Sequence, residues 1–228
     1  MPILRLALVC VLLLAASGAR ADDQLAFLRA EAARADIVGF ERTMRAEELK
    51  DGETVVSVRV DRFNPHAPAT RRWALVSVDG RKATAKEIAD HRKLVSSFPV
   101  PGFYRLRAIL AGEPTQSTDA KGRTVYRWDK LPPGSLPTPG PDVSARMAAE
   151  AVVETVAGRP MFSRVRIYAP RPFSILSVAK MNAFDLINVY QPNGSGPPIL
   201  VSQTSLTDVS APFGQGGRST SEISFRPI

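Results

Sequence analysis

His91 stands in KEIADHRK, with Glu87 four residues before it and Asp90 beside it. On a helix, a Glu/His pair at that spacing shares a face and can grip a metal ion. A stable site needs further ligands, and no other cluster supplies them. The pair therefore reads as a solvated helix face, and no metal is expected. His66 lies in NPHAP, a proline loop, and no G-x-S-x-G element is present to raise a serine nucleophile. Gly214-Gln215-Gly216-Gly217 is glycine-rich, but no helix start follows to cradle a phosphate. No catalytic residue and no cofactor can be assigned, although a carboxylate pair brought together only by the fold is invisible at this level.

The only cysteine is Cys10, within MPILRLALVCVLLLAASGARA. Arg5 gives that segment a positive start, Leu6 to Ala16 an apolar middle, and Ala19-Arg20-Ala21 a small-x-small end. This is the pattern of a secretory leader, too short to span a bilayer. Cleavage is expected after Ala21, leaving residues 22–228 as one domain without a thiol. A periplasmic or secreted location follows, and no later segment is long and apolar enough to cross a membrane. Thirty Lys and Arg stand against 22 Asp and Glu, a net charge of +8. Outside the cytoplasm, that excess suits an anionic envelope surface, such as lipid head groups or polysaccharide, or an acidic partner. Nucleic acid is not the expected partner there.

The rest of the chain is mostly strand. Residues 22–35 (DDQLAFLRAEAARA) form the exception, with leading acids and Leu25, Leu28 and Ala32 on one helical face. From Ile37 to Leu49 the sequence alternates, with Phe40, Met44 and Ala46 sharing a side with Arg42. Asp51-Gly52 turns the chain into Thr54–Phe63, where Val56, Val58 and Val60 are expected to face inward. A third strand runs over Arg72–Val78. Thr84 and Glu87 then form an S/T-x-x-E capping box, which starts a short amphipathic helix bearing Ile88, Leu94 and Val95. A helix of that length gains little alone. It is expected to lie across the sheet as a lid.

Beyond it, Phe103–Leu110 fits strand or helix, Glu113–Gly122 a polar loop, and Thr124–Asp129 a strand. Leu131–Asp142 (LPPGSLPTPGPD) is an extended surface loop. Ser144–Val156 has helical composition but alternates, and a turn at Gly158 leads to the alternating Phe162–Tyr168. We read the two as a hairpin. Phe173–Tyr190, apolar on both faces, is read as one long central strand. Ile199–Val209 and Ser219–Phe225 complete the set. The fold class is mainly β: a strongly curved antiparallel sheet or unclosed barrel of about 9–11 strands, with one or two capping helices.

This layout resembles that of the bacterial periplasmic lipoprotein carriers and receptors of the LolA/LolB type. GFERTMRAEEL with TVVSVRVDRF, RRWALVSVDGRKATAKEIADHRK, and FSRVRIYAPRPFSI with its continuation carry the likeness. The resemblance implies an unclosed barrel of about eleven strands, capped by helices over a hollow that receives acyl chains. It also implies that Arg42 matches the arginine with which the carrier type holds its closed state. The receptor type is anchored through a lipidated cysteine, which residues 22–228 lack.

The expected function is non-enzymatic: binding of an acyl chain, a lipid or a lipidated protein between sheet and helix. Phe40, Met44, Val56, Val58, Trp73, Ile88 and Leu94 are the expected lining, with Arg42 meeting a polar head group. The alternative is a protein–protein interaction module with a filled interior, contacting its partner through Leu131–Asp142.

Overall fold

The computed structural model describes residues 23–50, 52–136, 140–176, 178–212 and 216–228. The expected leader over 1–21, with Cys10, lies outside the described residues, as do 137–139 of the proline-rich stretch and 214–215 of the glycine-rich one.

The described residues form one twelve-stranded antiparallel sheet. Helix α1 (residues 23–34) precedes β1 (Phe40–Lys50), β2 (Glu53–Phe63), β3 (Trp73–Val78) and the two-residue β4 (Arg81–Lys82). Helices α2 (Ala85–Ser96) and α3 (Leu106–Leu110) follow, then β5 (Thr115–Thr118), β6 (Thr124–Trp128), β7 (Ala148–Val156) and β8 (Arg159–Tyr168). The last strands are β9 (Phe173–Ile175), β10 (Ala179–Asn193), β11 (Gly196–Ser210) and β12 (Gly217–Pro227).

Spatially the order is β4-β3-β2-β1-β12-β11-β10-β8-β7-β6-β5, with β9 added beside β10. The sheet does not close, because β4 and β5 end it without pairing to each other. Both edges are poor templates for further strands: β4 is only two residues long, and β5 is the polar, fully exposed TQST. Asp79-Gly80 and Ala157-Gly158 turn β3 into β4 and β7 into β8 with positive φ at both positions, the twist that a two-residue hairpin turn requires.

The inner face is filled at one end and hollow in the middle. Leu25, Leu28 and Ala32 of α1 are buried in the same core as Tyr126, Ala151 and Phe162, and the Tyr126 hydroxyl meets Gln24 Oε1 at 3.3 Å. Helix α3 buries Leu106, Ile109 and Leu110 in that core beside Trp128 and Met147. Arginines of each helix reach the C-terminal carbonyls of the other and join the two. Arg107 donates to the carbonyls of Ala32 and Ala35 (2.7 and 2.6 Å), and Arg29 to those of Leu110 and Gly112 (2.9 and 3.1 Å). A cation there also offsets the helix dipole.

Several expectations need correction. Phe173–Tyr190 is a hairpin, not one strand: Leu176 at φ +49° turns β9 back onto β10. Alternating apolar residues gave no sign of it, since no Gly, Pro or Asn marks the turn. The polar loop Glu113–Gly122 contains β5, whose exposed residues lack an apolar alternation. Phe103–Leu110 resolves as a 3-10 turn leading into α3. In Ser144–Val156, a single 3-10 turn at Ser144–Arg146, whose first amide donates to Asp142 Oδ1 (2.9 Å), precedes strand β7.

Strand β2 is turned over relative to expectation. Its register pairs Phe63 with Phe40, Asp61 with Arg42 and Arg59 with Met44. Directly paired residues share a face, so the inward set is Phe63, Asp61 and Arg59. Val56, Val58 and Val60 lie on the outer face.

Helix α2 starts as its sequence dictates. Thr84 Oγ1 accepts from the Glu87 amide (3.3 Å), and the Glu87 carboxylate accepts from the Thr84 amide (2.8 Å). The hydrogen bonds from Arg81, ahead of those from Thr84, hold the Glu87 carboxyl down to a pKa of about 2. Thr84→Ala should cost the helix about 1 kcal/mol. That would be read as roughly fivefold faster amide exchange across α2, with the global unfolding midpoint little changed.

Candidate functional site

Between the inner face of the sheet and a covering segment lies a cavity of about 440 Å³. Its floor comes from successive inward positions. On β10 these are Phe184, Leu186, Asn188 and Tyr190, two residues apart as a strand requires. Gln203, Ser205 and Thr207 of β11 and Ile167 of β8 extend the floor on either side. The register sets Leu186 between Ser205 and Ile167, and Asn188 opposite Gln203.

The cover runs from Phe98 to Ile109. Its prolines and Gly102 cannot continue α2, so the chain crosses the hollow in extended form before α3 begins. The Tyr104 hydroxyl donates to the Val100 carbonyl at 2.6 Å and pins that crossing. Ser135 and Leu136 close the far side. The Ser135 hydroxyl donates to the Ala108 carbonyl at 3.2 Å. The described part of the proline-rich stretch thus packs onto α3. A second cleft of about 220 Å³ adjoins, sharing Pro101, Gly102 and Leu200 with the first.

The lining of the larger cavity is mainly apolar, with a polar row from Asn188, Gln203, Ser205 and Thr207, two arginines and no carboxylate. Arg42 is committed: its Nε and Nη2 donate to the two oxygens of Asp61 at 2.9 and 2.5 Å, and its guanidinium lies 4.8 Å from the Trp73 ring centre. Asp61, only 3% exposed, also holds His91 Nε2 at 2.8 Å. Burial pushes the Asp61 carboxyl up, but the hydrogen bonds from His91 and Arg42 together outweigh it and hold the pKa below the ordinary carboxylate value. Arg105 has no carboxylate partner among the described residues. It stands near the phenols of Tyr104 and Tyr190. Burial drives the Tyr190 phenol far upward, so it stays protonated as a neutral hydroxyl on the cavity wall.

The residues expected from sequence are dispersed. Arg42 lines the cavity. Phe40 lines the smaller cleft and packs with Phe63, Trp73 and Phe225, ring centres 5.2–5.7 Å away. Trp73 supports Arg42 from within that cluster. Met44 is half-buried on the inner face between Arg59 and Ile223, and lines neither space. Val56 (45% exposed) and Val58 are on the outer face.

Ile88 is half-buried and Leu94 is 44% exposed, and neither reaches the cavity. Helix α2 buries His91 alone, at the Asp61 end of the sheet. It is therefore not the lid; Phe98–Ile109 covers the hollow instead. Sequence reasoning missed Arg105 because its segment fitted two secondary structures. It missed the β10 row because both faces of that strand are apolar.

No family model matches the chain, and no curated protein matches it. Among solved structures, it is similar to a LolA superfamily protein from Nitrosomonas europaea. The two are 10% identical, with 89% of this chain and 91% of that one covered, at a TM-score of 0.31.

Proposed function

We propose that the chain is a non-catalytic binding protein for an anionic amphiphile, with the acyl chain in the 440 Å³ cavity and the head group at Arg105. The carrying observation is the composition of that wall: mostly apolar side chains, a polar row of Asn188, Gln203, Ser205 and Thr207, two arginines and no acid. The volume is that of a small-molecule site. Apolar burial at about 25 cal/mol per Å² supplies the affinity. A charge-assisted hydrogen bond to a guanidinium that no carboxylate neutralises among the described residues supplies the preference for an anion.

Arg42, already neutralised by Asp61, contributes a fixed polar edge rather than a free charge. Phe40 and Trp73 support it from behind. Met44, Val56, Val58, Ile88 and Leu94 have no part in this reading. The leader-like residues 1–21 fit work in the periplasm or outside the cell, where such a protein would carry a lipid or a lipidated partner. Among the described residues no helix is long and apolar enough to cross a membrane.

Delipidated protein should bind cis-parinaric acid saturably. Arg105→Gln should weaken that binding at least tenfold, since a hydrogen bond to a charged group is worth about 1.5–3 kcal/mol. Binding of the corresponding fatty alcohol should hardly change. Equal loss for acid and alcohol would remove Arg105 from the site, and absence of saturable binding would overturn the proposal.

A further inference from the structure

The β9–β10 hairpin carries two apolar side chains that packing does not explain. Leu176 is 70% exposed and Val178 63%. Leu176 also holds φ at +49°, a left-handed conformation that a glycine or asparagine would adopt with less strain. An exposed leucine at a strained turn opposes both solubility and backbone preference, and such a position marks a functional surface.

The surroundings of the tip say what kind of surface it meets. Arg171, before β9, and Lys180, at the start of β10, are exposed and have no carboxylate partner among the described residues. Of the acids on the neighbouring strand stretches, Asp185 is paired with Arg166 (2.5 Å), while Asp208 accepts from the Asn182 amide (2.9 Å) and keeps its charge. Apolar tips between unpaired cations match a bilayer with anionic head groups, where leucine and valine enter the acyl layer and the cations meet phosphate. The tip is also close to the cavity. Met181, which lines the cavity, pairs with Phe173 at the base of the same hairpin.

We propose that the β9–β10 tip docks this protein reversibly on an anionic lipid bilayer, with Leu176 and Val178 inserted and Arg171 and Lys180 on the head groups. The surface stands on its own exposure and charge. Together with the binding reading above, it would set the cavity beside the membrane from which an acyl chain is drawn.

The test is co-sedimentation of the full chain with vesicles of phosphatidylethanolamine and phosphatidylglycerol, against vesicles of phosphatidylcholine alone. The anionic vesicles should retain the protein, the neutral ones several-fold less, and raised salt should release it. Leu176→Asp with Val178→Asp should lower the bound fraction at least fivefold, with parinaric acid affinity unchanged. Leu176→Gly, which relieves the backbone while removing the side chain, should also bind less, with an unfolding midpoint at or above that of the parent.

Equal retention of parent and variants, or equal retention by neutral vesicles, overturns the docking surface. Vesicle binding without fatty-acid uptake would support this surface and remove the cavity reading. Uptake without vesicle binding would do the reverse.

Discussion

Asp61→Ala should destabilise the protein by about 3–5 kcal/mol at neutral pH, the usual cost of removing one partner from a buried charge pair. Two groups lose their hydrogen-bond partner at once. The Arg42 guanidinium is left in the cavity wall with its charge uncompensated. His91, the only buried residue of α2, loses the acceptor that fixes it. The Trp73 ring remains, but a cation–π contact is worth only about 0.5–2 kcal/mol and does not replace a bidentate carboxylate. Urea unfolding measures the loss, and amide exchange shows where it falls. Exchange across α2 should rise more than across β7 and β8.

The pH dependence has a definite sign. The folded-state pKa of Asp61 lies below its ordinary value, so its contribution is complete above about pH 4. That contribution disappears as the pH falls through the depressed folded value. The gap between parent and Asp61→Ala should therefore narrow in strong acid. A gap that widens in acid, or an α2 exchange rate indifferent to the substitution, would mean that the Asp61–His91 contact does not hold the helix.

Tryptophan scanning of β10 should separate two adjacent residues. Leu186→Trp should weaken parinaric acid binding at least tenfold, about 1.4 kcal/mol, while Ile187→Trp should leave it within twofold. Leu186 faces the cavity between Ser205 and Ile167. Ile187 pairs with Thr204 and Arg166, on the other side of the sheet. Side chains alternate along a strand, so one step in sequence moves an indole from the ligand's space to the outer surface. Equal effects at both positions would place the ligand elsewhere. Circular dichroism and the urea midpoint distinguish a blocked cavity from a damaged fold.

Much of the architecture could be read from local pattern. The Thr84/Glu87 box sets the start of α2, and Leu25, Leu28 and Ala32 set the buried face of α1, because hydrogen-bond satisfaction and 3.6-residue spacing are local. What failed was non-local. The β2 valines suggested an inward face, yet Phe63 has the same parity as Asp61 and Arg59, and aromatic packing with Phe40 sets the facing. That pairing can be known only once β1 and β2 are in register. The turn at Leu176 goes against residue preference and was not legible. The cavity lining depends on how β8, β10, β11 and the Phe98–Ile109 crossing converge, which no single segment encodes. Arg42 was found because a charge on an apolar strand face is a local anomaly, and Arg105 was not because its segment has no clear period.

The pairing of β1 with β12 has a consequence for how the molecule forms. Phe40 lies against Pro227, and Glu48 against Ser219. The sheet's central seam thus joins the first strand to the last. Loop closure over everything between β1 and β12 must precede that seam, which puts it among the slow, high-contact-order steps of folding. Until the final residues arrive, β1 and β11 each present an unpaired edge. A chain leaving the ribosome therefore keeps both edges open until β12 has emerged.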